Sequence, residues 1–373
     1  MTYLPMMLRV TLLPCLYLPS LYILQVVANQ FSPHLFPPTG PYFEGWYMRL
    51  LDVQSGQSIG LLFGHVLPKT KTNVTSPLVA ASILYSEGCS MCKLMSYNGF
   101  FNRSQMSITV NGSPVTKDPD DISPAVFEWS TGKNISFNVK ENRTQFSFQT
   151  DSAIFRGEIS SPIPWGPKGK GPEGWLEHLP LPLHWFVYSL RSKVKWYELS
   201  VPHLGLQVTG KNAVAHMEKN WGKSFPPAWI WAQGITPNSN ISLSLSGGIV
   251  TDVITVTAYL IGYRNPAKQL TLDYTPVDSK VESSHDGCVG SVNLTAIGLV
   301  HTLHIHISSD PRAFSDCLYG PETTGFRQAC VESYSATADI MVLKDGRLID
   351  KQHISHYALE FGGKYVCNEK CST

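Results

Sequence analysis

The sequence predicts a mostly β protein assembled from antiparallel sandwich or barrel units. Three observations carry that expectation. Apolar and polar residues alternate with a period of two in "NISFNVK" (134–140), "TQFSFQT" (144–150), "VITVTAYLIGY" (253–263), "SVNLTAIGLVHTLHIHIS" (291–308) and "ADIMVLK" (338–344), the pattern of half-buried strands. The 26 prolines and 29 glycines punctuate these runs as the turns of an all-β chain require. Sustained helical periodicity is scarce.

At 373 residues the chain can bury a sizeable core and is long enough for two domains or one large duplicated one. Its 29 basic and 28 acidic residues leave a formal charge of +1, which gives no electrostatic reason to expect nucleic acid or anionic lipid as a partner. Aromatic residues make up 11% of the chain and are spread along it, so disorder does not fit.

Taken in order, the first segment is a leader. Residues 1–28 hold one early charge, Arg9, then an apolar run from Val10 to Leu24, with Val26 and Ala28 at signal-peptidase spacing. A retained anchor is the competing reading, weakened by Pro14, Pro19 and Gln25. Cleavage after Ala28 would leave no stable membrane span. Sequons at Asn73, Asn102, Asn134, Asn142, Asn240 and Asn293 agree with a glycosylated protein of the secretory pathway, secreted or lumenal. Seven cysteines remain after the leader, so disulfides are expected with one thiol left over. Cys89 and Cys92, in C-x-x-C spacing without a second such pair, read as a structural disulfide. The remaining connectivity does not follow from the sequence.

Hairpin turns are expected at "KENR" (140–143) and at "KDGR" (344–347), the latter with Asp-Gly. "WGPKGKGPEGW" (165–175) is a Gly/Pro/Lys loop. A boundary at about residue 200 divides the mature chain into halves 29–200 and 201–373.

Strand alternation assigns faces. In "YFEGWY", Tyr42, Glu44 and Trp46 share one face while Phe43 and Tyr47 share the other. In "LLFGHV", Leu61, Phe63 and His65 go together. The string "HMEKNWGKSFPPAWIWAQ" (216–233) concentrates polar and aromatic chemistry: His216, Glu218 and Asn220 share a face opposite Lys219 and Trp221, and Trp229, Trp231 and Gln233 share another. Two readings stand at this level. The tryptophans are core, with Glu44 and Glu218 paired to Arg or Lys at a strand end; or they line an apolar pocket with a few placed polar groups.

These strings, with "FRQACVESYSATADIMVL" and "HYALEFGG" near the end, resemble the tocopherol cyclase family over about residues 40–365. The resemblance implies two lipocalin-like antiparallel β halves packed around an apolar site. It also implies a chemistry without metal or redox cofactor: a phenol adds across the alkene of a prenyl tail to close a chromanol ring. That reaction needs a carboxylic acid held neutral by an apolar site, for which Glu44 and Glu218 are the candidates. It needs electron-rich faces for a developing tertiary cation, for which Trp46, Trp221, Trp229 and Trp231 are candidates, with Tyr42 and Gln233 beside them. His216 or His65 could accept the phenol proton, and Lys219 and Asn220 could orient the ring hydroxyls. Two departures stand out: a secretory leader where plant cyclases carry a plastid transit peptide, and Lys223 where the family commonly has glycine.

In "HTLHIHIS", His304 and His306 share a strand face, with His353 and His356 as possible further ligands. No fixed-spacing partner completes a zinc site, and a solvent-turned face is the simpler reading. No Gly-rich phosphate loop or nucleophile elbow occurs. The leading expectation is therefore a tocopherol-cyclase-like intramolecular lyase acting on a small apolar prenylquinol or isoprenoid. The alternatives are a secreted, non-catalytic lipid-binding protein on the same fold and, third, a structural extracellular β protein.

Overall fold

The computed structural model describes residue 33 and residues 39–70, 76–114, 126–132, 134–140, 142–167, 170–236, 239–251 and 255–371. The leader expected over residues 1–28 and the sequon at Asn73 lie outside the described residues. No helix among the described residues is long and apolar enough to cross a membrane.

The first thirteen strands form one antiparallel sheet. They are β1 (Tyr42–Asp52), β2 (Ser58–Leu67), β3 (Val79–Ser86), β4 (Met95–Phe101), β5 (Met106–Val110), β6 (Ser113–Pro114) and β7 (Phe127–Thr131). There follow β8 (Ile135–Lys140), β9 (Arg143–Gln149), β10 (Ile154–Ser160), β11 (Leu183–Val201), β12 (Leu206–Gly210) and β13 (Ala213–Gly222). Ten more form the second sheet: β14 (Ala228–Ile235), β15 (Ser242–Thr251), β16 (Thr255–Asn265), β17 (Leu270–Tyr274) and β18 (Lys280–Asp286). Its remaining strands are β19 (Ser291–Ile297), β20 (His301–Ser308), β21 (Leu318–Glu322), β22 (Gly325–Lys344) and β23 (Arg347–Gly363).

Each sheet is closed on itself in sequence by the same device. The first strand of each, β1 or β14, lies beside the last, β13 or β23, and meanders run outward on both sides. The expected barrels do not close, however. Among the described residues β4 bonds only to β3 and β6 only to β5, and β17 and β18 end the second sheet. Strand β13 belongs to the first sheet, and the chain passes to the second over residues 223–227, later than the boundary expected near residue 200.

The edge meanders show the expected alternation: β8 and β9 bury every second residue. The central strands do not, because both their faces are covered. All eight residues of β3 and of β14 are buried. One face of such a strand fills the interior of its own sheet, and the other packs against the opposite sheet. The KDGR hairpin forms as expected between β22 and β23, with Asp345 and Gly346 both at positive φ, the signature of a type I′ turn.

Candidate active site at the seam between the sheets

On β1 the even residues Tyr42, Trp46, Met48 and Leu50 enter the core of the first sheet, while Tyr47 joins the cluster between the sheets. On β13 the parity is reversed: Ala215, Met217 and Trp221 face that core. The expected site residues therefore separate onto two faces.

Glu44, Lys219, His65, Trp46, Trp221 and Tyr42 belong to the core side. Lys219 Nζ lies 2.8 Å from Glu44 Oε1 with neither side chain exposed, and 4.8 Å from the centre of the Trp221 ring. His65 Nε2 is 4.0 Å from Glu44 Oε2, and its Nδ1 accepts from Trp129 Nε1 at 3.3 Å. Burial pushes His65 down to about 4, although Glu44 opposes the shift. Aromatic rings fill the surrounding space: Trp46 stacks on Phe63 and tilts against Phe127. Trp46 lines a crevice of about 70 Å³. This constellation is an ion pair packed inside a sheet.

The seam holds a different group around a cavity of about 840 Å³. The string 216–233 builds both of its walls. Glu218 and Asn220 on β13 line it from the first sheet, Phe225, Pro226 and Pro227 cross over, and Trp229 and Trp231 on β14 line it from the second. Glu218 Oε2 is 2.9 Å from His216 Nε2 and accepts from Trp231 Nε1 at 3.1 Å. His216 stands behind Glu218, and it is not among the lining residues. Gln233 continues the face of Trp231 beyond the cavity and accepts from Arg49 Nη1 at 3.1 Å.

Tyr47, Trp185 and Glu360 line the cavity as well. Glu360, on β23, faces Trp231 across the strand pair and accepts from Trp229 Nε1. A glycine two residues later is needed for this arrangement. A Cβ on Gly362 would fall within 1.8 Å of the Trp229 indole, so only glycine lets the ring lie against β23. Burial raises Glu360 to about 7, against hydrogen bonds from Trp229 and the Cys330 thiol that favour the anion, and Glu218 adds to the rise.

Behind Glu360 lies a second carboxyl. Glu332 on β22 is its cross-strand partner and accepts from Tyr47 at 2.9 Å. Tyr47 is also 3.0 Å from the Tyr334 hydroxyl, and the Arg49 guanidinium sits 4.8 Å over the Tyr334 ring. Burial, then the neighbouring Glu360, hold Glu332 well above the usual carboxyl range; Tyr47 and Arg49 only partly counter this.

Glu332, Glu360, Tyr47 and Arg49 are not among the candidate site residues that the sequence offers. A signal was present, since Glu332 and Tyr334 share a strand parity in "ACVESYSAT", and Glu360 and Gly362 do so in "YALEFGG". A carboxyl at period two within an otherwise apolar strand is the mark of a buried acid.

Away from the seam, His304 and His306 are engaged by Thr295 and Asn293, and no three metal-binding side chains converge among the described residues. The cysteines pair as Cys89–Cys92, Cys288–Cys367 and Cys317–Cys371, leaving Cys330 as the buried free thiol. The CxxC pair is thus a disulfide, and three disulfides fit an oxidising compartment.

Fold and cavity define an all-β protein of two antiparallel sheets, with an apolar, acid-bearing cavity at the seam. The family model described as tocopherol cyclase-like matches residues 40–363, and the chain belongs to that family. The chloroplastic tocopherol cyclase of Zea mays is 23% identical over 248 residues, which cover 56% of this chain and 50% of the maize protein. The chain thus spans about half the length of the curated relatives it matches. Two solved structures share the fold. One is CghA with Sch210972, at TM-score 0.57 and 10% identity, covering 90% of this chain and 96% of that one. The other is kievitone hydratase from Nectria haematococca, at TM-score 0.52 and 12% identity, covering 92% and 94%.

Proposed function

We propose that the chain is an intramolecular lyase that closes a chromanol ring in a prenylated hydroquinone bound in the seam cavity. The observation that carries this reading is Glu360, a cavity-lining carboxyl raised to about 7 beside two tryptophans. The reaction is redox-neutral. The Glu360 carboxyl delivers its proton to one alkene carbon, the phenol oxygen bonds to the other, and the phenol proton leaves. Trp229 and Trp231 offer ring faces to the tertiary cation, each worth about 2 kcal/mol when desolvated. Glu218 and Asn220 hold the hydroxyls of the aromatic head. Family membership supports this chemistry. The Glu44–Lys219 pair serves the fold in this reading and does not touch the ligand.

The purified protein should convert a phytylated benzoquinol, under reducing conditions, to a single chromanol enantiomer resolved by chiral chromatography. Glu360→Gln should lower turnover by about a hundredfold or more, and wild-type activity should fall as pH rises through about 7. Recovery of bound quinol with no chromanol would replace this reading with lipid carriage.

The proposal extends to location. The leader pattern at residues 1–28, the three disulfides, and exposed sequon asparagines at Asn102, Asn134, Asn142, Asn240 and Asn293 support the secretory pathway. Protein made in eukaryotic cells should shift in mobility after endoglycosidase treatment, and an unchanged mobility would refute the route.

A further inference from the structure

An acid that protonates an alkene must be recharged before the next cycle, and the phenol proton must go somewhere. Glu332 is placed to connect the two events. It lies directly opposite Glu360 on the neighbouring strand, and such pairs hold their Cβ atoms about 4.5–5.5 Å apart. Glu332 is completely buried and its Oε2 has no hydrogen-bond partner among the described residues. An ionised carboxylate would leave that oxygen bare in an apolar setting, at a cost of several kcal/mol, and would face a second carboxyl as well. Its other oxygen, Oε1, accepts from Tyr47, whose ring lines the cavity. Tyr334 lies within hydrogen-bond distance of Tyr47. Arg49, Glu218 and Cys330 are the other ionisable groups acting on these carboxyls.

We propose that Glu332 and Glu360 form a proton-sharing carboxyl pair, and that Tyr47 couples this pair to the cavity as the acceptor of the phenol proton. The inference rests on the ring-closing reading for its catalytic part only. The transfers balance. Glu360 gives its proton to the alkene, and the phenol proton passes to the Tyr47 oxygen as the Tyr47 proton moves to Glu332 Oε1. The Glu332 carboxyl, opposite Glu360 on the paired strand, then turns its Oε2 proton onto Glu360. No group gains or loses charge over a cycle, so no ion need leave the apolar seam. Glu332 acts through its neighbours and is a positioning residue; Tyr47 touches the ligand.

The pair can be tested without any ligand. Infrared difference spectroscopy of the full chain at about pH 9, where ordinary carboxyls are ionised, should show a protonated carboxyl band. That band should vanish in Glu332→Gln, persist in Glu360→Gln, and shift in frequency in Tyr47→Phe, which removes its hydrogen bond. No band in the wild type, or a band surviving Glu332→Gln, overturns the pair whether or not the protein turns over a quinol. Where turnover is found, Glu332→Gln and Tyr47→Phe should each lower steady-state turnover on the order of tenfold or more while quinol binding is kept. Unchanged turnover in both, with Glu360→Gln inactive, overturns the relay and leaves the ring-closing reading intact.

Discussion

Glu44→Gln tests the division of labour between the two faces of the first sheet. In the wild type the Lys219 ammonium is fully buried, and its 2.8 Å contact with Glu44 is its anionic partner. The substitution removes that carboxylate from a buried cation that also lies near two indole faces, at 4.8 and 5.9 Å. Removing one partner of a buried pair typically costs about 3–5 kcal/mol, and the indole faces offset about 2 kcal/mol at most. Lys219→Met should cost a similar amount, because it removes the ammonium that lies 2.8 Å from the buried Glu44 carboxyl. The double variant removes both charges, so its cost should fall below the sum by about 2 kcal/mol or more, a coupling typical of groups in direct contact. Urea denaturation of the four proteins measures this, provided the slopes agree. Additive costs, or single variants within about 1 kcal/mol of wild type, would show that the pair does not carry the core. Loss of turnover in Glu44→Gln with stability unchanged would move the active site to the other face.

Two further outcomes follow from the same geometry. His65 titrates at about 4 in the folded protein, against 6.5 when unfolded, so the unfolded chain binds the extra proton first. About 3 kcal/mol of stability, complete above pH 6.5, should be lost as pH falls from there to about 4, and denaturation of His65→Phe should show a shallower slope in that window. The Cys288–Cys367 bridge closes a separation of 79 residues and Cys89–Cys92 one of 3. Replacing the first pair with serine should cost about 4.5 kcal/mol and the second about 1.5 by loop-closure entropy, as denaturation midpoints will report.

Period two made much of this molecule legible. It identified the meander strands, and it put Glu218 with His216 and Asn220, opposite Lys219 and Trp221, as the structure has them. It could not say which face meets the partner sheet. That depends on β1 lying between β2 and β13, a pairing across some 170 residues of chain that no local pattern records. The same limit hid Glu332 and Glu360, which only the pairing of two strands brings opposite one another. It also hid the repeated topology of the two sheets, since the device that repeats is a strand order and not a string of residues.

The concentration of chemistry in residues 216–233 follows from where the chain changes sheets. A cavity at a seam needs walls from both sheets, and a single short segment can supply both only where the backbone crosses from one to the other. Strand β13 ends at Gly222 and β14 begins at Ala228. Phe225 bridges the step, edge-on to Phe43 of the first sheet and to Trp229 of the second. The crossing therefore fixes Glu218 and Trp229 relative to each other through eleven residues of sequence, while Glu360 is fixed to Trp231 by strand pairing. The residues that the proposed reaction uses as acid, cation cradle and hydroxyl anchor are thus set by backbone hydrogen bonds in two sheets and by one short crossing, the kind of placement that pre-organised catalysis requires. Lengthening the crossing should loosen Glu218 against Trp229 while leaving the Glu332–Glu360 pair untouched. Insertion of two glycines after Ser224 should accordingly lower turnover and broaden product stereochemistry, yet keep the protonated-carboxyl band. Loss of the band would mean that the crossing supports the second sheet itself.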